Sequence, residues 1–176
     1  MSAVSLTATA IARHAKTSSA TFYVYFDDVS DVVLALATEA SEDLDTVMAA
    51  LATWRAGQST EEGARTFFNV YRAYWDRHRA ILGIRNMEAD RGDVRFLHIR
   101  SNAGLQIIWE LGALIRDGHC DGTLGEEQAV ARATVIFAAI ERIAATVSLY
   151  PRENRSPSTD ALSEAQIAIL VALVRN

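Results

Sequence analysis

The feature that most constrains this chain is a helical spacing of apolar residues along almost its whole length, with few residues that break helices. Its 176 residues include only 2 Pro and 9 Gly. Between Ser30 and Thr53, apolar residues recur every three or four positions, which places them on one face of a helix. The alternating pattern typical of strands does not compete with this spacing. We therefore predict an all-α fold.

Capping and turn residues divide the chain into predicted helices. Thr7, Ser18 or Ser19, Ser30, and Ser59 or Thr60 are suitable N-caps, and Pro151 ends the penultimate helix. The predicted helices run over residues 7–14, 18–25, 30–53, 60–78, 80–88, 126–150 and 158–174, with one further helix that begins at Asp90 or Asp93 and ends at Arg116.

Composition and motifs exclude several classes of protein. One Cys cannot form an intramolecular disulfide framework, and the longest apolar run, 167–174, is far shorter than the ~20 residues a bilayer requires. The first residues lack an apolar signal region, so we expect a cytoplasmic protein without a membrane partner. Phosphate-loop, nucleophile-elbow and zinc-helix motifs are missing from the sequence, which predicts no enzymatic activity, no cofactor and no metal site. His119, Cys120 and Asp121 share one turn, which we interpret as a solvent-exposed loop.

The charge is unevenly distributed along the chain. The net charge is −5, which alone argues against nucleic acid binding. Residues 1–26, however, contain Arg13 and Lys16 and no Asp or Glu. A small basic segment on an acidic body is compatible with a localised DNA-binding surface.

Residues 7–34 describe a helix-turn-helix, two short helices joined by a tight turn. We expect Ile11 and Ala15 to pack inward from the first helix, and Phe22 and Phe26 from the second. Hydroxyl residues and tyrosines are left to face outward, where they can approach phosphates and base edges.

This segment resembles the operator-binding domain of the TetR family of bacterial repressors. The specific part is the string Tyr23-Val24-Tyr25-Phe26. The other matching residues are Thr7, Ile11, Ala12, Ala15, Ser18, Thr21 and Phe22. The resemblance implies that the outward-facing residues of the two helices bind double-stranded operator DNA. They are Thr7, Lys16, Ser18, Ser19, Thr21, Tyr23 and Tyr25.

The segment departs from the family pattern at four places. Lys16 stands where the family has a turn glycine, Thr17 where it has valine, and Val29 where it has a lysine that contacts DNA. Only six residues precede Thr7, so the family's first helix is expected to be missing.

Large aromatic residues concentrate between Thr66 and Trp109. Phe68, Tyr71 and Trp75 share one helical stripe, which fits either a packed core or the wall of a cavity. Because the corresponding helices of the TetR family enclose an effector, we predict an apolar cavity of ~300–1,000 Å³ for a small lipophilic ligand. We place it between the helix that begins at Thr60, the helix that holds Trp109 and the helix that holds Phe137. Its predicted lining residues are Phe68, Tyr71, Trp75, Trp109, Phe137 and Ile140.

The last two predicted helices have the character of an interface. The segment 167–174 is apolar all round, and a partner subunit is the simplest cover for it; the alternative is that the helix is buried inside a monomer. The resemblance implies a two-fold homodimer through a four-helix bundle of these helices. The predicted interface residues are Ile136, Ile143, Ile167, Ile169, Leu170 and Leu173.

Together these features predict a ligand-responsive transcriptional repressor. Residues 1–29 would form a truncated helix-turn-helix domain and residues 30–176 a helical effector-binding and dimerisation domain. The dimer would bind a palindromic operator and release it when the effector binds. Two alternatives remain at this point: a ligand-binding or dimerisation module that has lost DNA binding, which the missing helix and Val29 favour, and an all-α enzyme, for which no acid–base constellation exists.

Overall fold

The computed structural model describes residues 7–119, 124–147 and 157–175. Within these ranges every regular element is an α-helix, so the predicted all-α fold is confirmed. The helices are α1 (Ala8–His14), α2 (Ser19–Tyr25), α3 (Val29–Glu42), α4 (Asp45–Arg55), α5 (Thr60–Asp90), α6 (Val94–Gly118), α7 (Glu126–Thr146) and α8 (Thr159–Arg175).

The helices α1 and α2 form the predicted pair and begin at the predicted caps. The Thr7 hydroxyl accepts a hydrogen bond from the amide of Ala10, and the Ser18 hydroxyl accepts one from the amide of Thr21. Lys16, in the turn between them, has a φ of 55°, a left-handed conformation that glycine adopts more easily.

The predicted helix 30–53 is wrong in two respects. The observed helix α3 begins at Val29, and its N-cap is Asp28, whose carboxylate accepts a hydrogen bond from the amide of Asp31. It also ends at Glu42, and α4 starts as a separate helix at Asp45. Neither Gly nor Pro marks this break. Asp43 instead forms hydrogen bonds with α5, and such tertiary contacts are invisible to a periodicity argument.

The two helices predicted over 60–78 and 80–88 are in fact the single 31-residue helix α5. Arg79, at the predicted break, donates to the carboxylate of Asp76 within the helix and to the carbonyl of Ala144 in α7. No breaker stands between the two predicted segments, so the helix simply continues. Of the two N-caps predicted for α6, Asp90 and Asp93, the structure has Asp93.

Helix α5 lies at the centre of the fold and contacts α3, α4, α6, α7 and α8. Its buried aromatic rings pack with apolar residues of those helices into one main core. The largest fully buried side chains include Phe67 and Trp75 of α5, Leu51 of α4, Leu111 of α6, Ile140 of α7 and Leu170 of α8. Any change that displaces α5 is therefore felt by every helix packed around it.

Candidate functional site

The first candidate surface is the exposed face of α1 and α2. Tyr23 and Tyr25 are 60% and 75% exposed, and Thr7, Lys16 and Thr21 are also exposed. Ser18 is exposed and Ser19 partly so, but the Ser18 hydroxyl caps α2 and lies 2.9 Å from the Thr21 hydroxyl. The residues predicted to bind DNA therefore share one acid-free pair of helices, with both tyrosines open to solvent.

The inward face of this pair differs from the prediction at one residue. Phe22 is buried and packs on Phe26 with their ring centroids 5.6 Å apart, as expected. Ala15 is exposed, whereas Ala12 is the buried residue of α1. The prediction assumed that Ala15 continues α1 and points to the same side as Ile11. Ala15 instead follows the last residue of α1, so its side chain does not keep the direction that a helix would give it.

The second candidate site is a cavity of about 290 Å³ between α5, α7 and α8. Phe68, Tyr71 and Trp75 from α5 and Ile140 from α7 line it. Its third wall is α8, not the helix that holds Trp109, so the predicted location of the cavity is wrong. The indole Nε1 of Trp75 donates to the Tyr71 hydroxyl over 2.9 Å, which fixes both rings. Burial raises the pKa of Tyr71 well above its usual value, so this hydroxyl stays neutral.

Two of the predicted lining residues lie elsewhere. Trp109 is 52% exposed on α6, and α6 contributes no residue to this cavity. Phe137 is buried and packs edge-on against Tyr71, with their ring centroids 5.5 Å apart, so it supports the wall without lining it. The prediction placed Trp109 and Phe137 on the opposite wall of the cavity. The direction of each side chain on its helix instead turns Trp109 to solvent and Phe137 into the main core.

A residue that the sequence reasoning missed is Gln166 of α8. It is 4% exposed, lines the cavity, and both polar atoms of its amide lack a hydrogen-bond partner within the part of the chain that the structure describes. The sequence gives little indication of this position, because Gln166 is a single amide residue that follows Ala165 and precedes the apolar run 167–174. Charged residues Arg72, Asp76 and Arg79 of α5 also line the cavity.

The opposite side of α5 holds the end of α3. The Tyr74 hydroxyl donates to the carbonyl of Ala40 over 3.0 Å, and burial raises the pKa of Tyr74 to about 12. Arg77 donates to the carboxylate of Asp43 over 3.0 Å, and His78 Nε2 lies 2.6 Å from the same oxygen. These hydrogen bonds from His78 and Arg77 lower the pKa of Asp43. Helix α5 thus connects the cavity to α3.

A buried ion cluster joins four helices on the same side. Arg85 of α5 is buried and donates to the hydroxyl of Ser41 in α3 and to the carboxylate of Glu141 in α7. Arg100 of α6 pairs with the second oxygen of Glu141 over 3.2 Å. Glu141 is therefore a paired charge that two arginines hold.

Three of the predicted interface residues are buried inside the chain itself. Ile136, Ile167 and Leu170 belong to the main core, so they cannot also contact a second subunit. Ile143 is half-buried beside the cavity and Leu173 is half-buried against the core. Ile169 is 53% exposed and is the one predicted residue fully open to a partner. The sequence could not separate the buried residues of 167–174 from the exposed ones, because this apolar run contains no polar residue to mark the outer face of the helix.

His119 is not part of an exposed loop, contrary to the prediction. It is buried, its Nδ1 lies 2.7 Å from the carbonyl of Ile115, and Arg132 lies 3.1 Å from its Nε2. Cys120 and Asp121 lie outside the described residues.

Among the described residues, no group of three or more His, Cys, Asp or Glu is placed to hold a metal ion. Those residues also include no helix long and apolar enough to cross a membrane.

Comparison with known proteins identifies the body of the molecule. A family model described as a tetracyclin repressor-like C-terminal domain matches residues 44–169, well over half of the chain. The match begins at the break between α3 and α4 and extends into α8. A comparison with curated proteins gave no match. The helical body built around α5, preceded by the two short helices that carry the Tyr23-Val24-Tyr25-Phe26 string, belongs to the TetR family of regulators.

Proposed function

We propose that this protein is a ligand-responsive transcriptional repressor. Residues 1–29 would bind double-stranded operator DNA, and residues 30–176 would bind a small lipophilic effector and dimerise. A regulator of this kind works in the cytoplasm beside its DNA. The observation that carries the proposal is the combination, in one chain, of the family body with a helix-turn-helix whose exposed face has two tyrosines and no acidic residue.

The DNA contacts follow from exposure. Tyr23 and Tyr25 of α2 are exposed to solvent, as is Thr21 of the same helix. Lys16 supplies a positive charge in the turn between α1 and α2. Phenolic and aliphatic hydroxyls donate to phosphate oxygens, and these bonds position a recognition helix in the major groove. Val29, at the start of α3, contributes no charge, so Lys16 and Arg13 provide the electrostatic attraction.

The response to ligand is a shift of α5. This helix lines the cavity with Phe68, Tyr71 and Trp75, and it holds the end of α3 through Tyr74 and His78. A ligand that favours a different position of α5 changes the position of α3, and α3 continues back to α2 through residues 26–28. In a dimer this alters the separation of the two recognition helices, which must match half-sites ~34–36 Å apart.

The dimer would form through the exposed faces of α7 and α8. Val135 of α7 is 73% exposed, and Ile169 of α8 is comparably open. Small residues repeat on the same faces, which lets helices approach closely. They are Ala131, Ala138 and Ala139 in α7 and Ala161, Ala165, Ala168 and Ala172 in α8, all of them exposed.

The experiment is a gel shift with the DNA that lies immediately upstream of the coding region. We expect a discrete complex that weakens in Tyr23→Ala, while gel filtration of the two proteins stays the same. Adding a ligand that raises the melting temperature should release the DNA. A stable dimer that binds ligand but forms no complex with this DNA would leave the chain as a ligand-binding module without DNA binding.

A further inference from the structure

The cavity between α5, α7 and α8 has an apolar side and a polar side. Every described residue that α7 contributes to its lining is apolar, and the rings of Phe68 and Trp75 extend this side along α5. The polar side consists of Arg72, Asp76 and Arg79 of α5 and Thr159, Ser163 and Gln166 of α8. A ligand that fits both sides therefore combines an apolar body with a polar head group.

The charged residues of the polar side decide the sign of that head group. Arg72, Asp76 and Arg79 lie on one face of α5, because their spacing is i, i+4, i+7. Arg79 donates to the carboxylate of Asp76 and to the carbonyl of Ala144, so its positive charge offsets the negative charge of Asp76. The positive charge that remains on this face is that of Arg72.

Arg72 is the charged group of the cavity without a partner. It is exposed, and it has no hydrogen bond or ion pair with any described residue. Long arginine side chains lay their aliphatic stems on apolar surface and keep the guanidinium at the boundary with water. A head group at the opening of the cavity therefore meets this guanidinium, which can donate two parallel hydrogen bonds to a planar anion.

We propose that the cavity binds a small lipophilic anion, a molecule with an apolar body and a carboxylate at one end. The body would pack against the α7 side of the cavity and the rings of Phe68 and Trp75. The carboxylate would lie at the opening and pair with Arg72. This inference rests on the proposed function, because it specifies the charge of the effector that occupies the same cavity.

The other polar groups of the lining do not provide a better anchor. Asp76 is the one carboxylate among the described lining residues, and its pairing with Arg79 leaves little attraction for a cationic head group. The Ser163 hydroxyl donates to the carbonyl of Thr159, so its proton is not available to a ligand. Both amide atoms of Gln166 are buried, with less than 1 Å² of accessible surface each, so a head group does not reach them. The head group therefore belongs beside Arg72.

Three probes that share one ring body test the sign of the head group. The anion 2-naphthoate carries a carboxylate, 2-naphthamide a neutral amide of nearly the same shape, and 2-naphthamidinium a cation of that shape. Titration calorimetry would measure their Kd for the full chain and for Arg72→Gln, Arg72→Glu and Arg142→Gln. Arg142 is an exposed arginine that lines a separate groove between α5, α6 and α7, and it serves as the control.

In the parent and in Arg142→Gln, we expect 2-naphthoate to bind most tightly and 2-naphthamidinium least tightly. Arg72→Gln should weaken the binding of 2-naphthoate about fivefold, the upper end of what an exposed ion pair contributes, and leave 2-naphthamide unchanged. Arg72→Glu should reverse the order, so that the cation binds most tightly. The ligand-free variants should melt at the temperature of the parent, because both arginines are exposed.

An unchanged Kd of Arg72→Gln for 2-naphthoate, an equal loss for all three probes, or tightest binding of the cation by the parent would overturn the anionic ligand. In each of these cases the cavity would remain a lipophilic site, and the proposed function would stand. Binding of none of the probes to the parent would overturn this proposal together with the effector part of the proposed function.

The gel shift tests the DNA contacts separately, so their failure is distinguishable from the failure of the ligand.

Discussion

Trp75 and Trp109 carry the same side chain in opposite environments. Trp75 is 1% exposed, hydrogen-bonded to Tyr71, and packed in the main core, whereas Trp109 is half exposed on α6. We expect Trp75→Ala to lower the free energy of unfolding by about 3–5 kcal/mol, because it removes buried contacts and enlarges a cavity. Trp109→Ala should change it by less than about 1 kcal/mol. Urea denaturation of both variants measures this, and equal losses would contradict the assignment.

Single residues also show what the sequence could predict about the candidate site. Phe68, Tyr71 and Trp75 could be placed on one helical stripe from their spacing. That spacing fits a packed core as well as a cavity, and the cavity that they line with Ile140 was expected from the family resemblance. Trp109 was wrongly placed in the wall of that cavity, because its helix turns the ring outward. Gln166 was missed because hydrophobic periodicity has no place for a polar residue on an inward face.

At the scale of elements, two glycines of α5 differ in what surrounds them. A Cβ at Gly63 would overlap the ring of Trp54 in α4, whereas nothing lies within 4 Å of a Cβ at Gly83. Alanine favours a helix by about 1 kcal/mol over glycine. We therefore expect Gly83→Ala to stabilise the fold by roughly that amount.

Gly63→Ala should instead destabilise it, because overpacking costs about 1–3 kcal/mol and outweighs the gain in helix propensity. Thermal denaturation of the two variants gives the comparison. A stabilising Gly63→Ala would mean that α4 does not pack as closely on the first turn of α5 as the structure has it.

The stability that the contact between α3 and α5 contributes should decrease at acidic pH. Hydrogen bonds from His78 and Arg77 lower the pKa of Asp43 below its usual 3.8. Such a group stabilises the folded state above the unfolded pKa, and that stabilisation is lost as the pH falls through the lower, folded pKa. The melting temperature of the parent should therefore fall more steeply below about pH 4 than that of Asp43→Asn. Parallel acid profiles for the two proteins would show that this contact contributes nothing.

Helix existence was predictable from periodicity, but two helix boundaries were not. The break at Asp43 lacks Gly and Pro, and contacts from α5 accompany it. Conversely, α5 continues through Arg79, where a break was predicted without any residue to cause one. The start of α1 was predicted correctly, and the starts of α2 and α6 were each narrowed to two candidate caps that include the observed one. This was possible because the Thr7, Ser18 and Asp93 side chains accept hydrogen bonds within their own first turns.

At the scale of the whole molecule, the proposed dimer face can be separated from the core. Ile169 is exposed, so Ile169→Asp should leave the subunit folded while placing an unpaired charge in the interface. We expect light scattering after gel filtration to give a monomer for this variant. Leu36→Asp, a similarly exposed apolar residue of α3, is the control and should remain dimeric. A dimer of unchanged mass for Ile169→Asp would exclude α8 from the interface.

The central claim is that α1 and α2 read DNA as part of a symmetric dimer. Selection of bound sequences from a random pool of double-stranded DNA by the full chain tests it most directly. We expect enrichment of an inverted repeat whose half-sites lie about one helical turn apart. We also expect Tyr23→Ala to bind the selected site more weakly by about 1–3 kcal/mol, because a hydrogen bond to phosphate is lost. No enrichment, or a selected site that Tyr23→Ala binds as tightly as the parent, would contradict the account.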